Sequence, residues 1–249
     1  MPLFHTFEDA GVHIGMWQLC ETVEELTALL PVFYPPNAHL IMGNERRQKE
    51  WLATRILLYA LLPVDLKPLP LVYDDNGKPE LATSELIAAT TSITPLPALS
   101  ISHCAGWVVV AFHPHKPIGI DIEQINNRVL RIKERFLSPE ELERIDHNKD
   151  NETDNDNNHE DRVNFAAVGR LFWGQAGRLT LAWSIKEAVY KWYGKGEVDF
   201  RRDIEVLGFV NLPQDNGKLS VAFKKNGVPT VLTAHYRFLF EHILVWICQ

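Results

Sequence analysis

Residues 118–123 of this 249-residue chain read Ile-Gly-Ile-Asp-Ile-Glu, a short apolar segment interrupted by two carboxylates. Alternate side chains of a β-strand leave opposite faces, so Asp121 and Glu123 share one face while Ile120 and Ile122 point into the core. A carboxylate is costly to bury without a partner, so its presence between isoleucines indicates a purpose. The segment therefore predicts a core strand with a functional acidic face, and an ordinary solvated strand edge is the alternative.

A second segment, residues 183–191, reads Trp-Ser-Ile-Lys-Glu-Ala-Val-Tyr-Lys and has a helical pattern. Trp183, Glu187 and Lys191 recur every four residues and therefore lie on one helix face. Two strand carboxylates, a helix carboxylate and a lysine one turn beyond it are the parts of a divalent-metal site that handles phosphate. Taken alone, Glu187 and Lys191 also fit an ordinary ion pair that stabilises a helix by about 0.2–0.5 kcal/mol.

The composition is that of a globular protein, with 46% hydrophobic and 23% charged residues, enough for one large core or two modest ones. The chain has no apolar run long enough to span a membrane and no signal-like N-terminus. Its three cysteines are scattered and odd in number, which suits a reducing compartment. The net charge of −7 argues against general nucleic-acid binding. We expect a soluble cytoplasmic protein.

Two neighbouring segments each allow two interpretations. Residues 146–161 contain almost no apolar side chain and predict a solvated loop; a calcium loop is the alternative, although it needs a glycine at the sixth position, where Asn155 stands. Residues 163–179 carry an apolar stripe. That stripe predicts either a helix packed on the core or an exposed hydrophobic segment that docks a protein partner.

The order of strand and helix patterns predicts an α+β fold built from two similar strand-helix-strand halves, a pseudo-twofold duplication. We expect an N-terminal subdomain at 1–115 and a C-terminal subdomain at 116–249, the latter with the polar loop. The expected strands are 12–19, 71–73, 99–102, 107–112, 118–123, 204–209, 219–223, 231–238 and 242–247. The expected helices are 22–30, 44–62, 129–135, one from Pro139, and 181–193. Thr22 with Glu25, and Ser138 with Glu141, are expected to form capping boxes at the starts of two of these helices.

Six motifs follow one another along the chain. They are Arg46-Arg47-x-x-Glu50-Trp51-Leu52-Ala53-x-Arg55, Asn76-Gly77-Lys78-Pro79, Ile101-Ser102-His103, the 118–123 segment, Phe136-Leu137-Ser138-x-x-Glu141 and Trp183-Ser184-x-Lys186-Glu187-Ala188-x-x-Lys191-x-x-Gly194. This series closely resembles the 4′-phosphopantetheinyl transferases. It is most similar to the two-domain type that activates surfactin and enterobactin synthetases, rather than to the short trimeric holo-acyl-carrier-protein synthases. The motifs extend over most of the chain.

The resemblance implies an enzyme that transfers the 4′-phosphopantetheine arm of coenzyme A to a serine of an apo acyl or peptidyl carrier protein and releases 3′,5′-ADP. It implies a Mg²⁺ ion bridging the two phosphates, held by Asp121 and Glu123 and completed by Glu187. Glu187 would also serve as the general base for the incoming hydroxyl. Lys191 would face the pyrophosphate and neutralise or protonate the leaving group.

For coenzyme A itself, the resemblance implies basic residues of the first half together with the Gly-Lys-Pro turn, which Lys78 and Pro79 match. Arg47 and Arg55 lie eight residues apart on one predicted helix face and are candidates for a fork that grips phosphate. Arg46 and Lys49 are alternative candidates for this fork, and solvation of surface arginines is the alternative explanation for the pair.

Three further residues are candidates for the same ligand. Ser102 and His103 end a strand just before a glycine-containing turn, where both side chains can donate to phosphate oxygens. Lys186 lies about 100° round the helix from Glu187 and reaches the phosphates only from the side.

Three rival functions are compatible with parts of the sequence: a catalytically degenerate coenzyme A or carrier-protein binder, another Mg²⁺-dependent phosphotransferase or hydrolase, and a scaffold that uses residues 163–179. The presence of all four proposed catalytic and metal residues counts against the binder, and the absence of a Walker loop counts against common nucleotide enzymes. An acidic carrier needs a local basic patch, for which Lys191, Lys195, Arg201 and Arg202 are candidates. We expect a monomer that binds neither nucleic acid nor membrane.

Overall fold

A computed structural model of the chain describes residues 3–35, 37–67, 69–82, 96–147, 174–209, 216–225, 227 and 229–249. The α-helices are Val23–Leu29 (α1), Glu45–Leu61 (α2), Val129–Phe136 (α3), Pro139–His147 (α4) and Gln175–Tyr193 (α5), with short 3₁₀ helices at Ala38–Met42 and Val64–Leu66. The strands are Leu3–Asp9 (β1), Val12–Gln18 (β2), Leu71–Tyr73 (β3), Pro79–Leu81 (β4), Ala98–Cys104 (β5), Trp107–His113 (β6), Ile118–Gln124 (β7), Ile204–Val206 (β8), Asn216–Phe223 (β9), Thr230–Leu239 (β10) and His242–Cys248 (β11). This mixture of helices and strands confirms the α+β class.

The first compact unit comprises Met1–Ile120, Lys191–Lys195 and Cys248–Gln249. Its main sheet is antiparallel, in the order β1-β2-β6-β5, and β3 and β4 form a separate hairpin. Helix α2 approaches β2 closely at Gly15, where an added Cβ would lie 2.8 Å from side-chain carbons of Leu57 and Leu61. The lack of a side chain at Gly15 therefore lets α2 pack directly on the sheet, and α2 carries two of the candidate ligands of coenzyme A.

The second compact unit comprises Asp121–Tyr190 and Gly196–Ile247. Its sheet has the order β7-β11-β10-β9-β8, so the strand with the two carboxylates is an edge strand of that sheet. Helix α5 is deeply buried, and Leu181, Ile185 and Ala188 have no exposed surface. Burial on several sides means that polar residues of this helix need partners inside the protein.

Both predicted capping boxes are present. The Thr22 backbone N–H donates to the Glu25 carboxylate (2.8 Å), and the Glu25 N–H donates to the Thr22 hydroxyl (3.2 Å). The same reciprocal bonds join Ser138 and Glu141 at 2.9 and 3.2 Å. Helix α4 begins at Pro139, as expected for a proline that needs no hydrogen-bond acceptor in the first turn.

Several elements differ from the sequence expectation. Helix α5 begins at Gln175, six residues before the expected start, because buried packing of Arg178 and Leu179 outweighs the weak helix propensity of Gly177 and Thr180. Strand β1 was not expected, and it forms by pairing with β2 across the Ala10–Gly11 turn, whose residues have φ of 53° and 77°. The short strand β4 was not expected either. Strand β8 ends at Val206, three residues earlier than predicted.

Several expectations are not tested. Residues 148–173, which include most of the polar loop and of the apolar stripe, lie outside the described residues, so the calcium and docking alternatives stay open. Of the stripe, Gln175–Leu179 is helical. The main segment of the first compact unit ends at Ile120. The predicted subdomain boundary at 115/116 and the predicted internal duplication stay predictions. None of the helices in the described ranges is long and apolar enough to cross a membrane.

Candidate active site

The two carboxylates of β7 face helix α5. Ile118, Ile120 and Ile122 have at most 1% of their surface exposed, and Asp121 itself is only 3% exposed. The Ser184 hydroxyl donates to Oδ2 of Asp121 at 2.8 Å, and the Trp183 indole N–H donates to Oε1 of Glu123 at 3.0 Å. Consecutive residues of one helix therefore bind both members of the Asp-x-Glu pair.

The carboxylates of Asp121 and Glu123 are ligands of a type that fits a magnesium ion. Within the described part of the chain, no three His, Cys, Asp or Glu side chains are close enough together to hold a metal ion. Mg²⁺ is usually held by one or two carboxylates, with substrate phosphates and waters as the other ligands. Asp121 and Glu123 supply two such carboxylates, and Glu187 lies one turn beyond Trp183 on the same helix and is partly exposed.

Lys186 does not have the geometry of a coenzyme A ligand. Its ammonium group is completely buried and donates to the Glu141 carboxylate (2.7 Å) and to the carbonyls of Phe200 (2.8 Å) and Ile204 (2.7 Å). An ammonium has three N–H donors, so all of them are used. Burial lowers the pKa of Lys186, and the adjacent Glu141 carboxylate opposes that shift. We therefore withdraw Lys186 from the candidate phosphate ligands, because this side chain has neither a donor nor a surface to offer.

The first compact unit brings Ser102 and Lys191 together. Ser102 is buried near the end of β5, and its hydroxyl accepts a hydrogen bond of 3.0 Å from Nζ of Lys191. The next residue, His103, is exposed, and its Nδ1 lies 3.5 Å from the Glu50 carboxylate of α2. The predicted Ser102-His103 pair is thus linked to one of the predicted catalytic residues and to the helix of the predicted arginine fork.

The Lys78 turn is also ordered by local hydrogen bonds. Oδ1 of Asp74 accepts from the backbone N–H groups of Asn76 (2.9 Å) and Lys78 (2.8 Å), and Gly77 has a φ of 78° that favours glycine. Pro79 follows as the first residue of β4. The Lys78 side chain lies against Gly194, where an added Cβ would come within 2.8 Å of Nζ.

The two arginines of the predicted fork have different environments. Arg47 is exposed in the first turn of α2, whereas Arg55 is buried with its guanidinium 3.6 Å from the centre of the Trp51 ring. Burial lowers the pKa of Arg55, and the nearby Tyr73 and Tyr34 partly oppose that shift. The buried Nε of Arg55 has no hydrogen-bond partner among the described residues. The Arg55 guanidinium is thus buried against aromatic rings, whereas the Arg47 side chain is exposed to solvent.

Sequence reasoning missed the donors of Trp183 and Ser184. From the sequence alone, Trp183 is expected to pack and orient Glu187, and no role is indicated for Ser184. Their adjacency to the lysine and glutamate of the helix motif was a signal, but the acceptors lie 60 and 63 residues away in the sequence. Only the folded arrangement of β7 and α5 identifies those acceptors.

Residues 117–236 match the family model of the 4′-phosphopantetheinyl transferase superfamily. This region covers slightly less than half of the chain and includes Asp121, Glu123, Glu187 and Lys191. It is therefore a domain of that superfamily, whose members transfer phosphopantetheine from coenzyme A to carrier proteins. No curated protein matches the chain significantly. The sequence resemblance is confirmed at this level, and the two-domain type stays a prediction.

Proposed function

We propose, from the superfamily domain at residues 117–236, that this protein transfers the 4′-phosphopantetheine arm of coenzyme A to a serine of an apo acyl or peptidyl carrier protein. We further propose that it is of the two-domain type and releases 3′,5′-ADP. The observation that carries the proposal is the pair of hydrogen bonds by which α5, the helix of Glu187, binds both Asp121 and Glu123. Such an ordered acidic pair within a transferase domain is suited to phosphoryl chemistry.

In the proposed reaction, the carrier serine oxygen forms a bond to the β-phosphorus of coenzyme A, and the bond from that phosphorus to the bridging oxygen of the pyrophosphate breaks. Glu187 accepts the serine proton, directly or through one water. The bridging oxygen leaves with 3′,5′-ADP, and Lys191 balances its negative charge. The link between Lys191 and the Ser102 hydroxyl supports this role, since it holds the lysine in a defined position.

Asp121, Glu123 and Glu187 are the residues we assign to a Mg²⁺ ion, which when bound would neutralise the charge of the two phosphates. The assignment is supported by oxygen ligands of the type that Mg²⁺ prefers.

The proposed coenzyme A ligands lie on the first unit's α2, β5 and Lys78 turn, and all of them except Pro79 carry a positive charge or a hydrogen-bond donor. Arg55 is the strongest of them, because the Nε–H of its buried guanidinium has no hydrogen-bond partner in the described part of the chain. The full set is Arg47, Arg55, Lys78, Pro79, Ser102 and His103.

We assign the reaction to the cytoplasm and to a monomer that uses neither nucleic acid nor membrane. The three free cysteines support a reducing compartment, and the net charge of −7 is unfavourable for nucleic acid.

The test is intact-mass spectrometry of a panel of apo carrier proteins incubated with the protein, coenzyme A and Mg²⁺. We expect a mass gain of one phosphopantetheine arm, lost when a chelator removes the metal. Glu187→Gln should lower the transfer rate by about 10²–10⁴-fold, the usual contribution of a general base. Glu143→Gln, the same change at an exposed position of α4, is the matched control and should leave the rate unchanged.

Two results would contradict transfer activity. Coenzyme A binding without a mass gain on any carrier would favour the degenerate binder. Failure to bind coenzyme A would exclude both functions.

A further inference from the structure

We propose that Ser184 and Trp183 are positioning residues, which hold the carboxylates of Asp121 and Glu123 in the orientation that binds a divalent cation. The inference rests on the proposed function, because it concerns the same acidic pair. Both donors are neutral groups of α5, and in this role each acts through a carboxylate and not on the reacting atoms.

The Ser184 hydroxyl restricts the rotation of the Asp121 carboxylate. The torsion that turns the carboxylate of an aspartate is broad, so an aspartate without a donor samples many orientations. Ser184 has no exposed surface and Asp121 is 3% exposed, so little water can compete for the bond of 2.8 Å between them. A buried hydrogen bond of this length selects one orientation of the carboxylate.

The Trp183 indole is held in place from two sides. Its ring packs edge-on against Phe136 at 5.1 Å between centroids and is tilted against Phe200 at 5.7 Å. Phe200 is in turn held through its carbonyl, which accepts a hydrogen bond of 2.8 Å from Lys186. Because the indole N–H is only a donor, its fixed direction constrains the position of the Glu123 oxygen it meets.

The charge of the donors also favours this role. A lysine or arginine bound to Asp121 or Glu123 would neutralise the carboxylate and compete with a metal ion. A hydroxyl and an indole N–H orient a carboxylate without bringing a positive charge to it. Lys186, the lysine nearest to Ser184 in the sequence, donates from its ammonium to the Glu141 carboxylate and to two carbonyls.

The competing explanation is that both bonds only stabilise the contact between α5 and β7. Under that explanation, removing a donor lowers the stability of the fold and leaves metal affinity unchanged. Metal binding must therefore be measured directly, beside thermal unfolding.

The experiment is a titration of the full-length protein with Mn²⁺, followed by electron paramagnetic resonance, in the presence of saturating coenzyme A. We expect Ser184→Ala and Trp183→Phe each to raise the Mn²⁺ dissociation constant by about 10- to 100-fold, the usual effect of removing a partner of a metal ligand. Thr180→Val is the matched control. Thr180 is equally buried on α5, but its hydroxyl donates to the carbonyl of Ala176 in the same helix, so the dissociation constant should stay unchanged.

The outcomes separate the inference from the proposed function. Mn²⁺ binding that is equal in the wild type and both variants would overturn the positioning role while leaving transferase activity intact. A wild type that transfers phosphopantetheine but binds no Mn²⁺ would overturn the positioning role and the assigned metal ligands together. If Ser184→Ala fails to fold, Trp183→Phe decides by the same criterion.

Discussion

Two lysines of one helix, Lys186 and Lys191, illustrate how position decides the role of a residue. They lie five residues apart on α5, and the resemblance assigned both to phosphate. Lys186 is sealed from solvent by Glu141 and two carbonyls, whereas Lys191 is partly exposed and bonds to the Ser102 hydroxyl. The buried ammonium serves the fold, and Lys191 keeps the exposure that a phosphate ligand needs.

At the same scale, His113 makes stability depend on pH. Its Nδ1 accepts hydrogen bonds from the backbone N–H groups of His115 (3.0 Å) and Lys116 (2.9 Å), which only an unprotonated Nδ1 can do. Burial lowers the pKa of His113 below its usual 6.5, with further contributions from Lys116, His115 and His13. The stabilisation is therefore complete above about pH 6.5 and is lost as the pH falls through the folded-state pKa.

We expect His113→Asn to reduce this acid sensitivity, because the asparagine oxygen can accept the same bonds without titrating. The measurement is the Tm at pH 7.5 and 5.5, which should fall less in the variant than in the wild type. His5→Asn, a change at an exposed histidine of β1, is the control and should keep the wild-type difference. Equal differences in all three proteins would contradict the prediction.

At the scale of elements, the Glu141–Lys186 pair joins α4, α5 and β8. The Glu141 carboxylate accepts from Lys186 and from the backbone N–H groups of Ser138 and Val206, and both charged side chains have no exposed surface. A buried charge pair is strongly destabilising when only one partner is removed, because the other charge stays buried.

We expect Lys186→Met to lower the free energy of unfolding by about 3–5 kcal/mol. Adding Glu141→Leu should recover part of that loss, since the double variant no longer buries an unpaired carboxylate. It should not recover all of it, since the Ser138 and Val206 N–H groups lose their acceptor. Urea unfolding of the two single variants and the double variant checks this. Strictly additive losses would show that the pair is not coupled.

The same elements show what the sequence can predict. The Thr22–Glu25 and Ser138–Glu141 capping boxes are local patterns, and both were predicted correctly. The role of Lys186 was not, because its partners lie 14, 18 and 45 residues away in the sequence. Strand β1 was missed for a related reason, since its formation depends on pairing with β2.

At the scale of the whole molecule, the proposed activity on an acidic carrier protein would require a local basic patch, because the net charge of the chain is −7. The sequence offered Arg201 and Arg202 for this purpose. Arg202 is instead paired with the buried Asp203 through Nε (2.8 Å) and Nη2 (3.3 Å). That leaves Arg201, which is exposed, as the better candidate of the two.

We expect Arg201→Glu to raise the KM for the carrier by about 1.4- to five-fold, as for the loss of an exposed ion pair of about 0.2–1 kcal/mol. The KM for coenzyme A should not change. Because salt screens exposed charges, the effect should shrink at high ionic strength. Lys218→Glu, the same charge reversal on β9, is the control. Unchanged carrier kinetics for Arg201→Glu would exclude this contact.

The sequence predicted those parts of the candidate site whose motif lies within a single strand or helix. The strand with Asp121 and Glu123 and the helix with Glu187 were both expected, because their patterns are carried by adjacent residues. The near-complete burial of Asp121 was not expected, because it depends on α5 lying beside β7. The site roles of these residues stay predictions until binding and transfer are measured.

The burial of Lys186 has a practical consequence for anyone who labels this protein. Amine-reactive reagents acylate lysines that meet solvent, and an ammonium with three protein acceptors and no exposed surface is protected from them. Acylation at Lys186 therefore requires α5 to separate from the 200–204 segment and Glu141. A time course of labelling, mapped by peptide mass, would report how often this region opens in the folded protein, at one residue and without any mutation.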